Sequence, residues 1–347
     1  MENENKLNQK EEAKEEEASL EKVEENNDNK EDKAEELPPE PTNFTYEDEN
    51  LQKVENNRIE FLKFYRKQGV LKWVIGLVAL AIVIFAWVGL PNIFKDADGN
   101  QPGWILPVMI VVVVVSLLLV FTYTFLTRRV VNKKMKAYFA DFYESTKNYV
   151  FNQEGFSDAL IQNPDKIAKV QFDENLMYAN VSEIGSRGLT EFKYHDKAMM
   201  VCDCAAQVRG DKRIMPVFVG KYLIGPASYK DEPIIIYIKG DKRALPPTNT
   251  EGMKIVHDNK DLVIYSNNKD WSKVINSKVM KSLKGIKLNK FLIDVAISLN
   301  NDKTYMCLGY DDPLMVLPLE NPFNPNPFTS YKEDLVKFTK IIEELSK

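Results

Sequence analysis

Two long apolar stretches dominate the hydropathy pattern of the chain. Residues 70–90 and 104–126 each match the roughly 20 residues that a helix needs to cross about 30 Å of hydrocarbon. The first stretch carries one charged residue, Lys72 near its start, and the second carries none. Helices satisfy their own backbone hydrogen bonds, which is why they can span a bilayer. The pattern predicts two transmembrane helices joined by a short extracellular loop over residues 91–103.

The spans themselves offer little chemistry. Pro91 and the two Gly-containing pairs of the loop predict a turn between the helices. Ion and proton paths through a membrane normally need ionisable or polar residues inside the spans. The polar residues inside these spans are Ser116, Thr122, Tyr123 and Thr124. We therefore interpret the hairpin as an anchor, in preference to a transporter or a channel.

Basic residues flank the outer ends of the hairpin. Those before the first span are Lys53, Arg58, Lys63, Arg66, Lys67 and Lys72, and those after the second are Arg128, Arg129, Lys133, Lys134, Lys136 and Lys147. Only Lys95 lies between the spans. The positive-inside rule therefore places both termini in the cytoplasm. The N-terminus lacks a secretory pattern, so the first span is expected to act as an uncleaved signal anchor.

Helical patterns continue on both sides of the hairpin. Residues 46–69 show an imperfect apolar spacing that leads into the first span, and residues 127–151 show a clearer one. The apolar positions of the second segment are Val131, Met135, Tyr138, Phe139 and Phe142. They lie on one face of a helix. These extensions are predicted to pack on each other as a stalk, or on the soluble body.

The chain begins with an acidic segment. The first fifty residues hold nineteen acidic and six basic residues, with no aromatic residue before Phe44. Such a composition cannot bury enough apolar surface to offset the entropy of ordering, so residues 1–45 are predicted to be a disordered tail. The whole chain has a formal net charge of −5. The part after residue 150 is nearly neutral, which argues against a nucleic-acid partner.

Residues 152–347 are predicted to form one cytoplasmic α+β domain, with a mostly antiparallel sheet, short helices and a C-terminal helix. Asp270 and Ser277 are expected to cap two short helices, and residues 330–345 to form the terminal helix. Alternation and β-branched residues predict the strands, and short turns between them favour antiparallel pairing. The predicted strands are residues 177–181, 198–208, 215–223, 233–238, 262–266, 292–299, 304–310 and 314–317.

A run of lysines stands out in the two short helices. The lysines are Lys273, Lys278, Lys281, Lys284, Lys287 and Lys290, and no acidic residue interrupts them. They form a candidate contact surface for anionic lipid or an acidic partner, because each lysine near an anionic membrane contributes about 1 kcal/mol. The alternative is a core-packing helix with a solvated basic face. We also hypothesise that the acidic tail competes for this surface, in a contact that weakens with salt.

No metal, cofactor or catalytic site is predicted. Cys202 and Cys204 are two apart in a predicted strand, without the second ligand pair that zinc sites need, so Cys202, Cys204 and Cys307 are expected to be free core thiols. His195 and His257 follow no catalytic motif and are interpreted as surface residues.

Three further segments are interpreted as having ordinary structural roles. Residues 185–188 contain two glycines but no phosphate-loop pattern, and are interpreted as a turn, while residues 96–107 fail the calcium-loop pattern. The proline-rich residues 321–328 are interpreted as a rigid linker, with an aromatic recognition strip as the alternative.

The order of elements resembles a bacterial family catalogued as a domain of unknown function, DUF 3137. The resemblance rests on the string from Asp261 to Asn268, on Trp271, on Val279-Met280 before Leu283, and on the two strands and final helix that follow. It covers residues 60–345 and implies a two-pass hairpin followed by a cytoplasmic α+β domain. The family has no established activity. Because its members often lie near genes for LemA-type membrane proteins, the resemblance implies such a protein as a candidate partner.

These patterns together favour a non-enzymatic protein of the bacterial plasma membrane. Its cytoplasmic domain is expected to work as an adaptor or scaffold at the inner leaflet. The alternative is a membrane-associated enzyme whose site is too scattered in sequence to recognise, because no acid, base and nucleophile set is evident.

Overall fold

The structure, a computed structural model, describes residues 44–95, 101–210, 213–240, 243–310 and 319–347. The predicted acidic tail lies almost entirely outside these residues, as do the first five residues of the rejected calcium loop and the predicted strand at residues 314–317. The described chain is α+β, with two long apolar helices followed by a nine-stranded antiparallel sheet and a C-terminal helix.

Each apolar stretch forms one continuous helix with the amphipathic segment beside it. Helix α1 runs over Glu49–Ile93 and helix α2 over Ile105–Phe151. The side chain of Asp48 accepts a hydrogen bond from the Asn50 backbone N–H and so caps α1. Both helices are long and apolar enough to be candidate membrane spans. No linker therefore separates either candidate span from its extension.

Helix α1 passes through Pro91, where the sequence predicted a break, and ends at Ile93. Proline has no backbone N–H, so it cannot donate the usual helical hydrogen bond. The turn just before it, Phe85–Gly89, is a π-helix, and the Leu90 N–H bonds to the Phe85 carbonyl. A single wider turn thus accommodates the proline without ending the helix.

The two helices are antiparallel and stay in register along their length. At the body end Phe61 stacks on Tyr138, with ring centroids 5.1 Å apart. At the loop end Phe94 meets Trp104 edge to face, also at 5.1 Å. Nearly the same number of residues separates these two contacts on each helix, so equivalent levels of α1 and α2 face each other.

The sheet is entirely antiparallel, in the order β1-β2-β3-β4-β9-β8-β5-β7-β6. Hairpins connect four of the eight neighbouring pairs, β2–β3, β3–β4, β6–β7 and β8–β9, as the short predicted turns indicated. The strands are β1 Phe156–Ile161, β2 Glu183–Tyr194, β3 Lys197–Arg209, β4 Ile214–Pro226, β5 Ile234–Ile238, β6 Ile255–Asp258, β7 Leu262–Ser266, β8 Leu292–Asn300 and β9 Lys303–Tyr310.

Six of the predicted strands are confirmed, and one is wrong. Residues 177–181 form a turn, with positive φ at Leu176 and Asn180, and the Asn175 side chain accepts from the Met177 N–H. Strands β1, β2 and β6 and the short helix α3, Lys169–Asp173, were not predicted.

Residues 185–188, predicted as a turn, lie inside strand β2. Gly188 has a φ of +64°, and the pairing with β3 shifts between Arg187 and Thr190. This is a β-bulge, in which glycine supplies the left-handed residue. A Cβ at Gly188 would also meet the Tyr143 ring at 2.6 Å, so the glycine permits the close approach of α2.

The remaining helices follow the predicted order. They are α4 Trp271–Val274, α5 Ser277–Lys284 and α6 Asn326–Leu345. Asn276, not Ser277, caps α5, because its side-chain oxygen accepts from the Lys278 and Val279 N–H groups. Helix α6 begins four residues before the predicted start, directly after Pro325.

Two apolar layers cover the two faces of the sheet. On one face the ends of α1 and α2, together with α5 and α6, pack against residues such as Val201, Leu223 and Ile297. On the other face α3 and its flanking loops cover Cys204, Tyr222 and neighbouring residues. The helices that continue from the candidate spans therefore form part of the core of the body.

Candidate functional site

The most distinctive region of the molecule is the junction where the helix pair enters the body. Phe142 of α2 is 2% exposed and packs edge to face on both Phe323 and Phe328, at 6.1 and 5.7 Å. Leu51 of α1 and Tyr149 of α2 belong to the same core layer. The two extensions thus pack on each other and on the body, so both predicted packing modes occur together.

The proline-rich segment at residues 321–328 is part of this junction. Phe323 and Phe328 are buried, and α6 starts inside the segment. The structure therefore corrects the interpretation of the segment as an extended linker, and its aromatic residues serve the core. The physical reason is that the large apolar rings gain more by filling the space beneath α2 than by facing water.

A polar network fastens α1 to the same segment. Arg58 is 6% exposed, and its Nε and Nη2 donate to the Glu55 carboxylate at 2.7 and 2.6 Å. Its Nη1 also donates to the Leu319 carbonyl at 2.8 Å. The Phe323 N–H donates to Glu55, and the Tyr46 hydroxyl donates to the Phe323 carbonyl. The side chains of Tyr46, Glu55 and Arg58 all have hydrogen-bond partners at this buried contact, which makes the attachment specific.

This network controls the ionisation of its members. Burial alone would raise the pKa of Glu55, but the hydrogen bonds from Arg58 and from the Phe323 backbone outweigh it and lower that pKa. Burial and the nearby Glu55 charge raise the pKa of Tyr46 to about 12. Glu55 is therefore held as a carboxylate and Arg58 as a guanidinium.

A second buried pair lies beneath α2 on the sheet. Asp203 of β3 is 2% exposed, and its Oδ1 lies 2.5 Å from Nζ of Lys221 on β4. The two residues are directly opposite each other in the strand register. The Lys221 ammonium also lies 4.7 Å from the centre of the Tyr331 ring of α6. The pair is thus enclosed by the sheet, α2 and α6.

Burial dominates the electrostatics of this pair. It raises the pKa of Asp203 above its ordinary value, and the Lys221 ammonium acts in the opposite direction. Burial also raises the pKa of the adjacent Tyr143, assisted by the Asp203 charge. The cavity beside them measures about 30 Å³. Such a cavity can hold a water molecule but not an organic substrate.

Two larger grooves flank α2 on either side, near the end of its candidate span. We call the first the helix-pair groove, a cavity of about 760 Å³ between α1 and α2. Its lining includes Phe61, Lys63, Phe64, Lys133, Lys134 and Asp141. The Lys134 ammonium lies 4.9 Å from the centre of the Phe64 ring. Both helices thus supply cations and aromatic surface to one groove.

The second, the Arg187 groove, lies between α2 and the segment after β1, with a volume of about 840 Å³. Arg187 projects from the β2 bulge and lies 5.0 Å from the centre of the Phe139 ring. Lys136 and Lys166 line the groove together with three acidic residues, Asp141, Glu144 and Asp165. Its charges balance, so it has no clear preference for an anionic or a cationic ligand.

The six lysines of the predicted contact surface are all exposed. The opposite face of α5 is buried through Val279 and Leu283, as the amphipathic pattern indicated. Lys273 pairs with Asp270 at 3.0 Å and Lys278 with Glu344 of α6 at 2.9 Å. Lys281, Lys284 and Lys287 have no ion pair within the described residues, and Lys290 lies 4.8 Å from the Phe291 ring centre. We call these six residues the lysine face.

Among the described residues, each of the two histidines contacts a polar side chain near the surface. His195 is exposed in the β2–β3 turn, where its Nδ1 lies 3.2 Å from Oε2 of Glu343. His257 lies in β6, 3.1 Å from the Asn259 amide nitrogen. Both have ordinary surface contacts.

The cysteines Cys202, Cys204 and Cys307 are free and buried. Burial raises the pKa of each thiol, so none is poised as a nucleophile. Across the described part of the chain, no group of three metal-ligating side chains occurs.

The buried polar pairs were not predicted from the sequence. Arg58 was assigned to the basic flank, although it continues the apolar face formed by Leu51, Val54 and Phe61. A charged residue on an apolar helix face is the signal that could have identified it. Asp203 lies between the buried Cys202 and Cys204 in a strand. A charged residue at such a core position is a similar signal.

Comparison with known proteins adds little to this description. No family model matches the chain, and no curated protein matches it. A solved structure with partial similarity is that of the mycobacterial trehalose monomycolate transport factor A, TtfA, at 9% identity. The match covers 58% of this chain and 96% of that one, with a TM-score of 0.33. A likeness at that score supports no conclusion about this chain. The resemblance to DUF 3137 stays a prediction.

Proposed function

We propose that this chain is a two-pass protein of a bacterial plasma membrane that holds an α+β interaction domain at the inner leaflet, as an adaptor or scaffold. The observation that carries the proposal is the exposure of the two apolar helices. Trp73 and Phe121 are 75% and 71% exposed, and most other apolar side chains of the spans are exposed as well. An apolar surface of this extent requires a lipid environment or a partner.

The dimensions support insertion as a hairpin. The stretch from Val70 to Ile93 of α1 is about 35 Å long, and the facing stretch of α2 has a similar length. This matches the roughly 30 Å of hydrocarbon in a bilayer. The basic flanks on the body side and Lys95 alone in the loop favour a cytoplasmic body.

The junction gives the anchor a mechanical role. Because α1 and α2 continue into the core of the body, the sheet is held at a fixed height and orientation below the membrane. Such a mount suits a protein that presents one surface to another membrane-bound component. We assign that role to the lysine face, whose partner is anionic. A LemA-type membrane protein is the candidate implied by the family resemblance.

The alternative, a membrane-associated enzyme, has weaker support. The buried Asp203–Lys221 pair has the perturbed ionisation of a functional group, but its cavity of about 30 Å³ admits no substrate. The larger grooves hold charged side chains without a nucleophile and base in contact among the described residues.

Cysteine labelling in whole cells tests the topology. The thiol introduced by Lys95→Cys should react with an impermeant maleimide added outside intact cells. The thiol introduced by Lys281→Cys should react only after the membrane is permeabilised. The unsubstituted chain is the matched control, because its three cysteines are buried and should label poorly. Labelling of position 281 in intact cells would contradict a cytoplasmic body.

Site-specific photocrosslinking tests the adaptor role. A crosslinker at Lys284 in the full chain should capture a discrete protein in intact cells, and one at Lys254, an exposed lysine outside the lysine face, should not. Equal capture at both positions, or capture of lipid alone, would count against the adaptor role.

A further inference from the structure

We propose that the helix-pair groove binds the headgroup of an anionic phospholipid of the inner leaflet. This inference rests on the proposed membrane insertion and adds a ligand to it. The groove has a volume of about 760 Å³ and lies between the two helices directly below their candidate spans.

The register of the helices places the groove at the headgroup layer. Phe61 faces Tyr138 and Phe64 faces Lys134, and the same offset puts Val70 of α1 level with Arg128 of α2. The three groove lysines lie five to seven residues below that level, which is about 10 Å along the helices. Since the headgroup region is about 5–8 Å deep and lysine side chains extend towards it, their ammonium groups reach the lipid phosphates.

The charges of the groove are separated along its length. Lys63, Lys133 and Lys134 are exposed and form no ion pair within the described residues. The acidic residues Glu60 and Asp141 line the groove farther from the membrane. An anion is therefore attracted at the membrane end and repelled at the far end, which matches a lipid that enters from the bilayer.

The groove also differs from an ordinary basic belt, because two helices supply its walls. Phe64 is half-buried between them, and the Lys134 ammonium lies over its ring. Basic pockets between transmembrane helices on the cytoplasmic side are known to bind anionic headgroups. The Arg187 groove lacks this preference, because its three cations face three acids.

Native mass spectrometry tests the proposal. The full chain is released from vesicles that contain equal amounts of phosphatidylglycerol and phosphatidylcholine. The protein should retain phosphatidylglycerol in preference to phosphatidylcholine. The variant Lys63→Gln/Lys133→Gln/Lys134→Gln should lose at least tenfold of that retention, since each lysine accounts for about fivefold. The matched control Lys254→Gln/Lys260→Gln/Lys269→Gln removes the same charge from exposed lysines of the body and should retain lipid as the native chain does.

Three results would overturn the proposal. The first is unchanged retention in the groove variant, and the second is displacement of the lipid by an equal concentration of free glycerol phosphate. The third is retention of phosphatidylglycerol only by a chain that lacks residues 2–43. That result would mean that the acidic tail, and not a lipid, occupies the groove in the full chain. Alkaline extraction is measured on the same samples. A chain that leaves the membrane at high pH fails the proposed function, whereas an inserted chain without lipid preference fails only this inference.

Discussion

At the scale of single residues, the two buried ion pairs behave differently because their surroundings differ. Glu55 receives hydrogen bonds from Arg58 and from a backbone N–H, and its pKa is lowered despite burial. Asp203 has mainly Lys221 to offset its loss of hydration, and its pKa is raised. The number of donors around each carboxyl group decides the direction.

Replacing Lys221 with methionine should therefore destabilise the body in a pH-dependent way. It leaves Asp203 buried without its cation, which typically costs about 3–5 kcal/mol of unfolding free energy. Without Lys221, the pKa of Asp203 in the folded chain rises further above its value in the unfolded chain. Asp203 then favours folding only while it is protonated, so the loss of unfolding free energy grows as the pH rises between those two pKa values. Urea unfolding in detergent, followed by tryptophan fluorescence at about pH 5 and about pH 7.5, measures both effects.

Lys239→Met is the matched control, because Lys239 pairs with Asp258 at an exposed site. It should change stability by less than about 1 kcal/mol, with little pH dependence. The double variant Asp203→Asn/Lys221→Met should recover part of the loss. An equal loss for Lys221→Met at both pH values would mean that packing, and not charge, explains the destabilisation.

At the scale of elements, helix α2 connects the candidate span to the sheet. Its lower part is fixed by Phe142 and Tyr149 in the core, while its upper part pairs with α1. Ala140 is exposed between these two regions. The stiffness of α2, together with that of α1, thus determines whether the body follows the hairpin.

Proline at position 140 should weaken that connection. It removes a helical hydrogen bond and kinks the helix, at about 3 kcal/mol or more. Spin labels at Arg129→Cys and Lys281→Cys should give a narrow distance distribution in the otherwise native chain and in Ala140→Ser. In Ala140→Pro the distribution should broaden or shift. An unchanged distribution would show that other contacts hold the body in place.

At the scale of the whole molecule, opposite charges are attached to one side of the hairpin. The first fifty residues hold nineteen acidic and six basic residues, whereas the lysine face holds cations with few partners. A tethered acidic segment is a natural competitor for a basic surface. Such a contact is sensitive to salt, because screening lengths fall from about 10 Å at 0.1 M to about 3 Å at 1 M.

A peptide of residues 2–43 should accordingly bind a chain that lacks those residues at low salt. Its affinity should fall at least tenfold at high salt, measured by fluorescence anisotropy. Lys281→Gln/Lys284→Gln/Lys287→Gln should weaken the binding, while Lys254→Gln/Lys260→Gln/Lys269→Gln should not. If the peptide does not bind at low salt, the competition hypothesis is incorrect.

Some features could be predicted because they depend on local patterns. The apolar length of the spans, the amphipathic face of α5 and the hydrophobic strands such as Leu262–Ser266 follow from residue order alone. Strand β2 was missed because its glycines resemble a turn, whereas pairing with β3 holds them in a bulge. Strand pairing is a contact between distant residues, so a single segment does not reveal it.

Residue order was enough to predict two apolar helices, an α+β body, a charged tail and a lysine-rich amphipathic segment, because hydropathy and charge are properties of each residue type. The folded chain was needed to show that the helices continue into the core, that Arg58 and Asp203 are buried, and that Lys63 and Lys134 line one groove. These features require residues far apart in the chain to meet. Their energies depend on burial and distance, which sequence order does not specify.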